Sequence, residues 1–233
     1  MIDWGWLSDH LGAIAYRTGQ HLYLTAIAVV VGLLISLVLG ILAVRRRRLY
    51  TPVNITTSLL YTVPSLALFA AMVPIVGLNL LTAEIPLILY TLVILFRNVV
   101  AGLDAVPPDV LEAADGLAVT GRARLGRVEL PLAIPLIVAG VRIATVSTIG
   151  LVTITATLGE AFGGLGFFIY EGANRFFPTE IYAGAVPVIA LALALDRLFA
   201  WLGGRLTPWS RAADRPAPGT PDVKPPLAQW PAP

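Results

Sequence analysis

Residues 106–131 read VPPDVLEAADGLAVTGRARLGRVELP. This is a polar stretch in the middle of an otherwise apolar chain, with apolar runs on both sides, so it reads as a loop between two membrane spans. Its internal pattern is helical. Pro107 and Pro108 stop the preceding segment, and proline suits a first helical turn. Asp109 and Glu112 place negative charge near the helix N-terminus, where the macrodipole favours it. Val110, Ala114 and Leu117 recur at i, i+4 and i+7, one stripe of a 3.6-residue period. Gly116 weakens the helix near its end. Thr120 caps a second short helix, with Leu125 and Val128 on one face and Arg122, Arg124 and Arg127 toward water, and Pro131 closes it. Two such helices in an aqueous loop have apolar faces to cover. The lipid surface offers one cover, and a groove on a soluble partner offers another.

The rest of the composition points to a bilayer. The chain has 233 residues, 57% hydrophobic and only 13% charged, where a soluble domain carries about 25% charged residues. Cysteine is absent, which excludes disulfides, thiol catalysis and cysteine metal sites. His10 and His21 are the only histidines; they read as interfacial residues rather than ligands, and no metal site is expected. The formal charge of +2 says little, and nucleic acid is not among the expected partners.

A membrane helix needs about 20 apolar residues. Segment 22–44 is the first span and ends at the stop Arg45-Arg46-Arg47-Arg48. Gly32, Ser36 and Gly40 lie four apart on it, a small-residue stripe that permits close helix packing. The second span, 55–76, contains Tyr61, Pro64, Ser65 and Pro74 and is expected to kink at proline. The third covers 84–100, the fourth 133–157 and the fifth 181–202, with glycine-rich 159–177 as an external loop or short helix. The expected fold is therefore an all-α membrane protein.

Before the first span there is neither a basic n-region nor a cleavage site, so the start does not read as a signal peptide. Residues 1–20 form an external N-terminal segment, in which Trp4, Trp6, Leu7, Leu11 and Ile14 predict a short interfacial helix anchored by its tryptophans. The positive-inside rule then orients the chain. With Arg45–Arg48 inside, five spans put the N-terminus outside, the C-terminus inside and 106–131 in the cytoplasm. Residues 21–206 are the transmembrane domain. The proline-rich 207–233 is predicted to be a disordered cytoplasmic tail.

The loop carries a resemblance. Glu112-Ala113-Ala114 followed by Val128-Glu129-Leu130-Pro131 resembles the EAA loop of the permeases of ABC importers, whose pattern is E-A-A, three residues, Gly, nine residues, Ile, any residue, Leu-Pro. The family glycine falls on Ala118, with Gly116 two residues earlier. In that family the loop is a coupling helix seated in a groove of a cytoplasmic ATPase. The resemblance therefore implies a five-helix type I importer transmembrane domain and assigns ATPase coupling to Glu112, Ala113, Ala114, Gly116, Leu117, Leu125, Leu130 and Pro131. The alanines let a helix approach closely, and Leu117 supplies an apolar knob.

Four further stretches narrow the resemblance to permeases for glycine betaine, carnitine and choline. Thr62-Val63-Pro64-Ser65-Leu66-Ala67-Leu68 is similar to their V/I-P-S-L-A-L. Leu95-Phe96-Arg97-Asn98 with Gly102-Leu103 is similar to L-R-N-x-x-x-G-L, and Ala139–Val146 to A-G-I-R-T-A-T-V. Gly163-Gly164-Leu165-Gly166 matches a G-G-L-G element. Members work as permease pairs, identical or homologous, with two ATPase subunits and an extracytoplasmic substrate-binding protein. No catalytic residue and no cofactor of its own is expected here, since ATP belongs to the partner subunit and the chain lacks G-x-x-x-x-G-K-[ST]. A permease for another small solute such as an amino acid is the alternative within this class. Outside it stands a secondary transporter that needs no ATPase, which usually carries an internal repeat.

Two sets of residues inside the spans remain. Thr145, Thr148 and Thr155 share a helix face with Val152, and with Tyr61, Pro64 and Ser65 they are the expected solute path; threonines in such helices also bond their own backbone. Arg142 and Asp196 lie within the fourth and fifth spans at comparable depth. Each alone in hydrocarbon would cost at least about 3 kcal/mol, so they are expected to face the protein interior as an ion pair, with Arg97 the rival partner for Asp196.

Overall fold

A computed structural model describes residues 2–208. The tail 209–233, and with it nearly all of the expected disordered segment, lies outside the described residues. Ten α-helices follow in order: α1 Trp4–Asp9, α2 Leu11–Arg45, α3 Tyr50–Thr62, α4 Ser65–Val76, α5 Leu80–Asp104, α6 Pro108–Gly116, α7 Gly121–Arg124, α8 Leu130–Ile154, α9 Gly166–Asn174 and α10 Pro178–Leu206. Four of them, α2, α5, α10 and the continuous helical run through α7 and α8, are long and apolar enough to cross a membrane; α3 with α4 makes a fifth crossing if the bent pair counts as one.

The core is a layer of α2, α5 and α8, with α10 flanking α8. Central α5 contributes Leu87, Leu95, Phe96 and Val99, all fully buried. The small-residue stripe of α2 lies against it. A Cβ on Gly32 would stand 1.9 Å from Thr91 Oγ1, and one on Gly40 2.5 Å from Val99 Cγ1. Close approach of this kind is how helices without a hydrophobic drive between them gain packing energy in lipid.

The second span breaks instead of kinking. α3 and α4 meet at 97° across Val63-Pro64. A proline disfavours helical backbone in the residue before it, and Val63 is extended at φ −66°, ψ 131°. The carbonyl this frees inside the membrane finds a side-chain partner, since the Tyr90 hydroxyl donates to the Val63 oxygen. Pro74, Pro86, Pro135 and Pro187 all lie inside helices that continue through them, so proline content alone does not locate the break.

Elsewhere the structure refines further expectations. The first span starts at Leu11, eleven residues before the apolar run, and α1 is a separate single turn capped by the Asp3 carboxylate on Trp6 N at 3.0 Å. Trp6 is partly buried and packs on the chain itself: its ring stacks on His10 at 4.0 Å and meets Phe168 and Phe177 edge-on, while Trp4 is exposed. His21 is a core residue. It is fully buried, its Nε2 3.0 Å from the Ile149 oxygen and its Nδ1 accepting from Leu165 N; these partners require the Nε2–H tautomer. Finally, Pro131 closes nothing. Residues Leu125–Glu129 form a π-helical turn running straight into α8, and Leu130 N bonds Leu125 O. The proline has no N–H to give, and the wider turn shifts the hydrogen bonding so that the helix continues.

The 106–131 loop turns at Ala118. This residue has φ +54° and occupies the left-handed position after α6. The Val119 N–H reaches the Ala114 oxygen at 3.2 Å and the Ala118 N–H the Asp115 oxygen at 2.9 Å, the paired bonds of a Schellman cap. Gly116 is an ordinary last helical residue. A left-handed alanine costs about 1–2 kcal/mol that glycine does not. Ala118→Gly is therefore expected to stabilise the chain by about 0.5–1 kcal/mol after the extra freedom of the unfolded glycine is counted, read as a higher thermal midpoint in detergent.

Candidate functional site

The loop helices sit at the end of the bundle where α2 and α5 finish. Two ion-pair sets order this end, and the second fastens the loop helices to it. The Arg47 guanidinium grips Asp104 with both nitrogens, at 2.9 and 2.6 Å. Glu129 is buried and accepts from Arg45 at 3.1 Å and from Arg124 at 2.8 Å; Arg124 also reaches Asp115 at 2.6 Å. A continuous chain Arg45–Glu129–Arg124–Asp115 thus ties the end of the first span to both loop helices. Arg124 faces these carboxylates rather than water. Sequence reading passed over Glu129 because it stands at the motif's free position; its signal is that it is the one acidic residue amid the three arginines of 121–130.

The expected coupling residues divide. Glu112 and Ala113 are exposed and Leu117 is 79% exposed. They form the free surface of the loop. Ala114 is buried at 6%, against the chain itself. Leu125 and Leu130 pack into the core cluster of Val99, Leu103 and Ala133, so they anchor the loop from behind. Gly116 is exposed and Pro131 half-buried. Removing the Glu129 charge should loosen this attachment. Stranding a buried charge costs about 3–5 kcal/mol, but exposed pairs cost far less, and the Arg45 side chain is 36% exposed. Glu129→Gln is expected to destabilise the chain by about 1–2 kcal/mol and to raise the protease sensitivity of 106–131 in particular.

Within the bundle the expected path residues also divide. Thr145, Thr148 and Thr155 are 3%, 1% and 0% exposed and point into the chain's own core, a correction to the path reading. The Thr148 hydroxyl donates to its own helix at Ala144 O, 2.7 Å, and that of Thr155 lies 2.6 Å from Phe162 O. At 100° per residue, the outward side of α8 is the opposite one, carrying Ile143, Val146, Ser147 and Gly150. Tyr61, Pro64 and Ser65 do open onto a groove, of about 430 Å³, whose far wall is Ser147, Gly150 and Leu151. A second groove of about 400 Å³ begins at the same Ser147 and holds Arg142 and Asp196.

Those two charges meet. Arg142 Nε and Nη2 lie 3.0 and 2.9 Å from Asp196 Oδ1, and Nη2 lies 3.0 Å from Oδ2, the fork geometry that suits guanidinium and carboxylate. The pair is not interior, however: the side chains are 37% and 39% exposed in the groove. Arg97 belongs elsewhere, donating to Asn54 at 2.9 Å and Ser58 at 2.8 Å on α3. Among the described residues no group of three His, Cys, Asp or Glu side chains could hold a metal ion.

At the opposite end of the bundle the G-G-L-G segment is held by α2. Arg17 pairs with Glu160 at 2.6 Å, and Gln20 accepts from Gly164 N at 3.1 Å. The stretch expected as loop or short helix is both, since α9 follows directly and packs on α10.

This arrangement has known counterparts. The glycine betaine/carnitine/choline transport system permease protein of Bacillus subtilis is 36% identical over 202 residues, covering 87% of this chain and 92% of that one. The osmoprotectant import permease protein of Salmonella typhimurium is 39% identical over 208 residues, covering 87% and 96%. Among solved structures, a chain of the MetNI methionine ABC transporter in an inward facing form superposes with a TM-score of 0.70 at 22% identity, covering 87% of this chain and 96% of that chain, a likeness of fold. The sequence pattern of the binding-protein-dependent transport system inner membrane component family matches residues 15–209, and the chain belongs to that family as a multi-pass membrane protein.

Proposed function

We propose that this chain is the permease subunit of an ATP-driven ABC importer that moves quaternary-ammonium osmoprotectants such as glycine betaine, choline and carnitine into the cell. The observation that carries the reading is the loop at the arginine-rich end of the bundle. It offers Glu112, Ala113 and Leu117 outward while Glu129, Leu125 and Leu130 fix it to the spans. A short exposed helix rigidly joined to membrane helices is what a motor subunit needs to push on. Its relatives' names support the solute class.

In this reading the loop end faces the cytoplasm and the G-G-L-G end faces outward. The chain performs no ATP chemistry itself; two ATPase subunits hydrolyse ATP, a second permease completes the passage, and an extracytoplasmic binding protein delivers the solute. The test is purification from the native membrane in mild detergent. The tagged chain should bring down a nucleotide-binding ATPase whose hydrolysis rises when solute-loaded binding protein is added. A chain that purifies without any ATPase would reject the reading.

A further inference from the structure

The grooves along α8 carry more than a path outline. Arg142 lies twelve residues from either end of α8 (Leu130–Ile154), about 18 Å from each at 1.5 Å per residue, so its pair with Asp196 sits near mid-membrane. Both side chains are more than a third exposed. Charges so placed face water or protein, not lipid tails. The face that bears them is therefore turned away from the bilayer. Ser147 lines this groove and also the neighbouring one, which joins the ion pair to the break between α3 and α4. There Tyr61 is 47% exposed, with Tyr90 edge-on to it at 5.6 Å and 70°. Because the Tyr90 hydroxyl also holds the Val63 carbonyl, the broken span fixes where the Tyr61 ring stands.

We propose that this face, from Arg142–Asp196 through Ser147 to Tyr61, is the wall of the solute passage, and that the Tyr61 ring and the ion pair recognise a quaternary ammonium in transit. The proposal rests on the permease reading above. A quaternary ammonium has no N–H to donate, so hydrogen-bond acceptors give it no directional hold. An aromatic face and a carboxylate attract it by charge alone. Asp196 is already neutralised by Arg142, so its pull is weak enough to release the cation, which a passage requires. In a zwitterionic solute, the carboxylate would lie toward the guanidinium.

The chain has no cysteine, so Ser147→Cys gives it a single thiol, and labelling is read on this chain after the subunits are separated. The complete importer carrying this change is reconstituted in vesicles and treated with a membrane-impermeant quaternary-ammonium methanethiosulfonate. The thiol should label, while Thr148→Cys, 1% exposed in the native side chain, should not. Saturating choline should slow labelling of Ser147→Cys. Adding Tyr61→Leu should weaken that protection about tenfold in choline concentration, and Tyr61→Phe should keep it within about twofold, as a ring-face attraction predicts. An unlabelled Ser147→Cys overturns the passage wall. Protection unchanged by Tyr61→Leu overturns the recognition. Protection does not depend on ATP-driven uptake, so a vesicle that binds choline but fails to pump leaves this result standing and rejects only the permease reading.

Discussion

Gly166→Val is expected to abolish accumulation of the folded chain. Gly166 begins α9 where the G-G-L-G segment crosses α8, and a Cβ there would stand 2.2 Å from the Thr153 carbonyl oxygen and 2.6 Å from Thr153 Cα. Those atoms are backbone of α8, and they cannot swing away as a side chain can. Overpacking typically costs about 1–3 kcal/mol and more where nothing gives; here it also pushes on the segment that Gln20 and His21 hold. We expect a loss of more than about 3 kcal/mol, seen as disappearance of the monodisperse peak in size-exclusion chromatography in detergent. Gly12→Ala is the control. A Cβ at Gly12 meets nothing within 4 Å, and alanine in a helix is about 0.5–1 kcal/mol better than glycine, so that variant should accumulate at least as well as the parent.

The second large effect is functional. Leu117→Asp should lower ATP-driven solute uptake by at least about tenfold while the chain still inserts and folds. Leu117 is the most exposed residue of the loop's apolar stripe, at 79%, and closes α6 without packing into the bundle. Truncating an apolar anchor at the centre of an interface costs about 2 kcal/mol or more, and a charge there adds desolvation. Ala113→Arg should act in the same direction. Ala114 is a poorer choice for this test: at 6% exposure a bulky charge would disturb the loop's own seat as well as any partner, so lost transport would not distinguish the two. Uptake measured against ATP hydrolysis in the same vesicles separates uncoupling from misfolding.

Much of this was legible in the chain's own letters. The spans, the polar loop and its two helices followed from hydropathy and 3.6-residue periodicity, and the meeting of Arg142 with Asp196 followed from the cost of leaving either alone. Three things did not follow, each for a physical reason. Periodicity finds a stripe on α8 but does not say which of two opposite stripes faces in. Thr145, Thr148 and Thr155 are buried in the core, the last two bonding nearby backbone, and the plainer Ser147 and Gly150 line the groove. Proline marks a missing hydrogen bond, yet whether a helix bends or breaks depends on a partner for the freed carbonyl. Tyr90, 27 residues from Val63, supplies it at one proline of several. Leu125 and Leu130 match a motif, and a motif does not tell a residue that touches the partner from one that braces the element from behind. The left-handed Ala118 was visible in outline, as the place where the related loops carry glycine; that the turn forms there and not at Gly116 is decided by the Schellman bonds to Ala114 and Asp115.

The central claim is that the membrane bundle is driven through its 106–131 loop by ATP hydrolysed on another subunit. Uptake of labelled glycine betaine into proteoliposomes that hold the chain, its ATPase and its binding protein tests this most directly. We predict accumulation that requires ATP inside the compartment facing the loop, persists when ion gradients are collapsed, and is lost with Leu117→Asp. Accumulation that proceeds without ATP and follows an imposed ion gradient would contradict it.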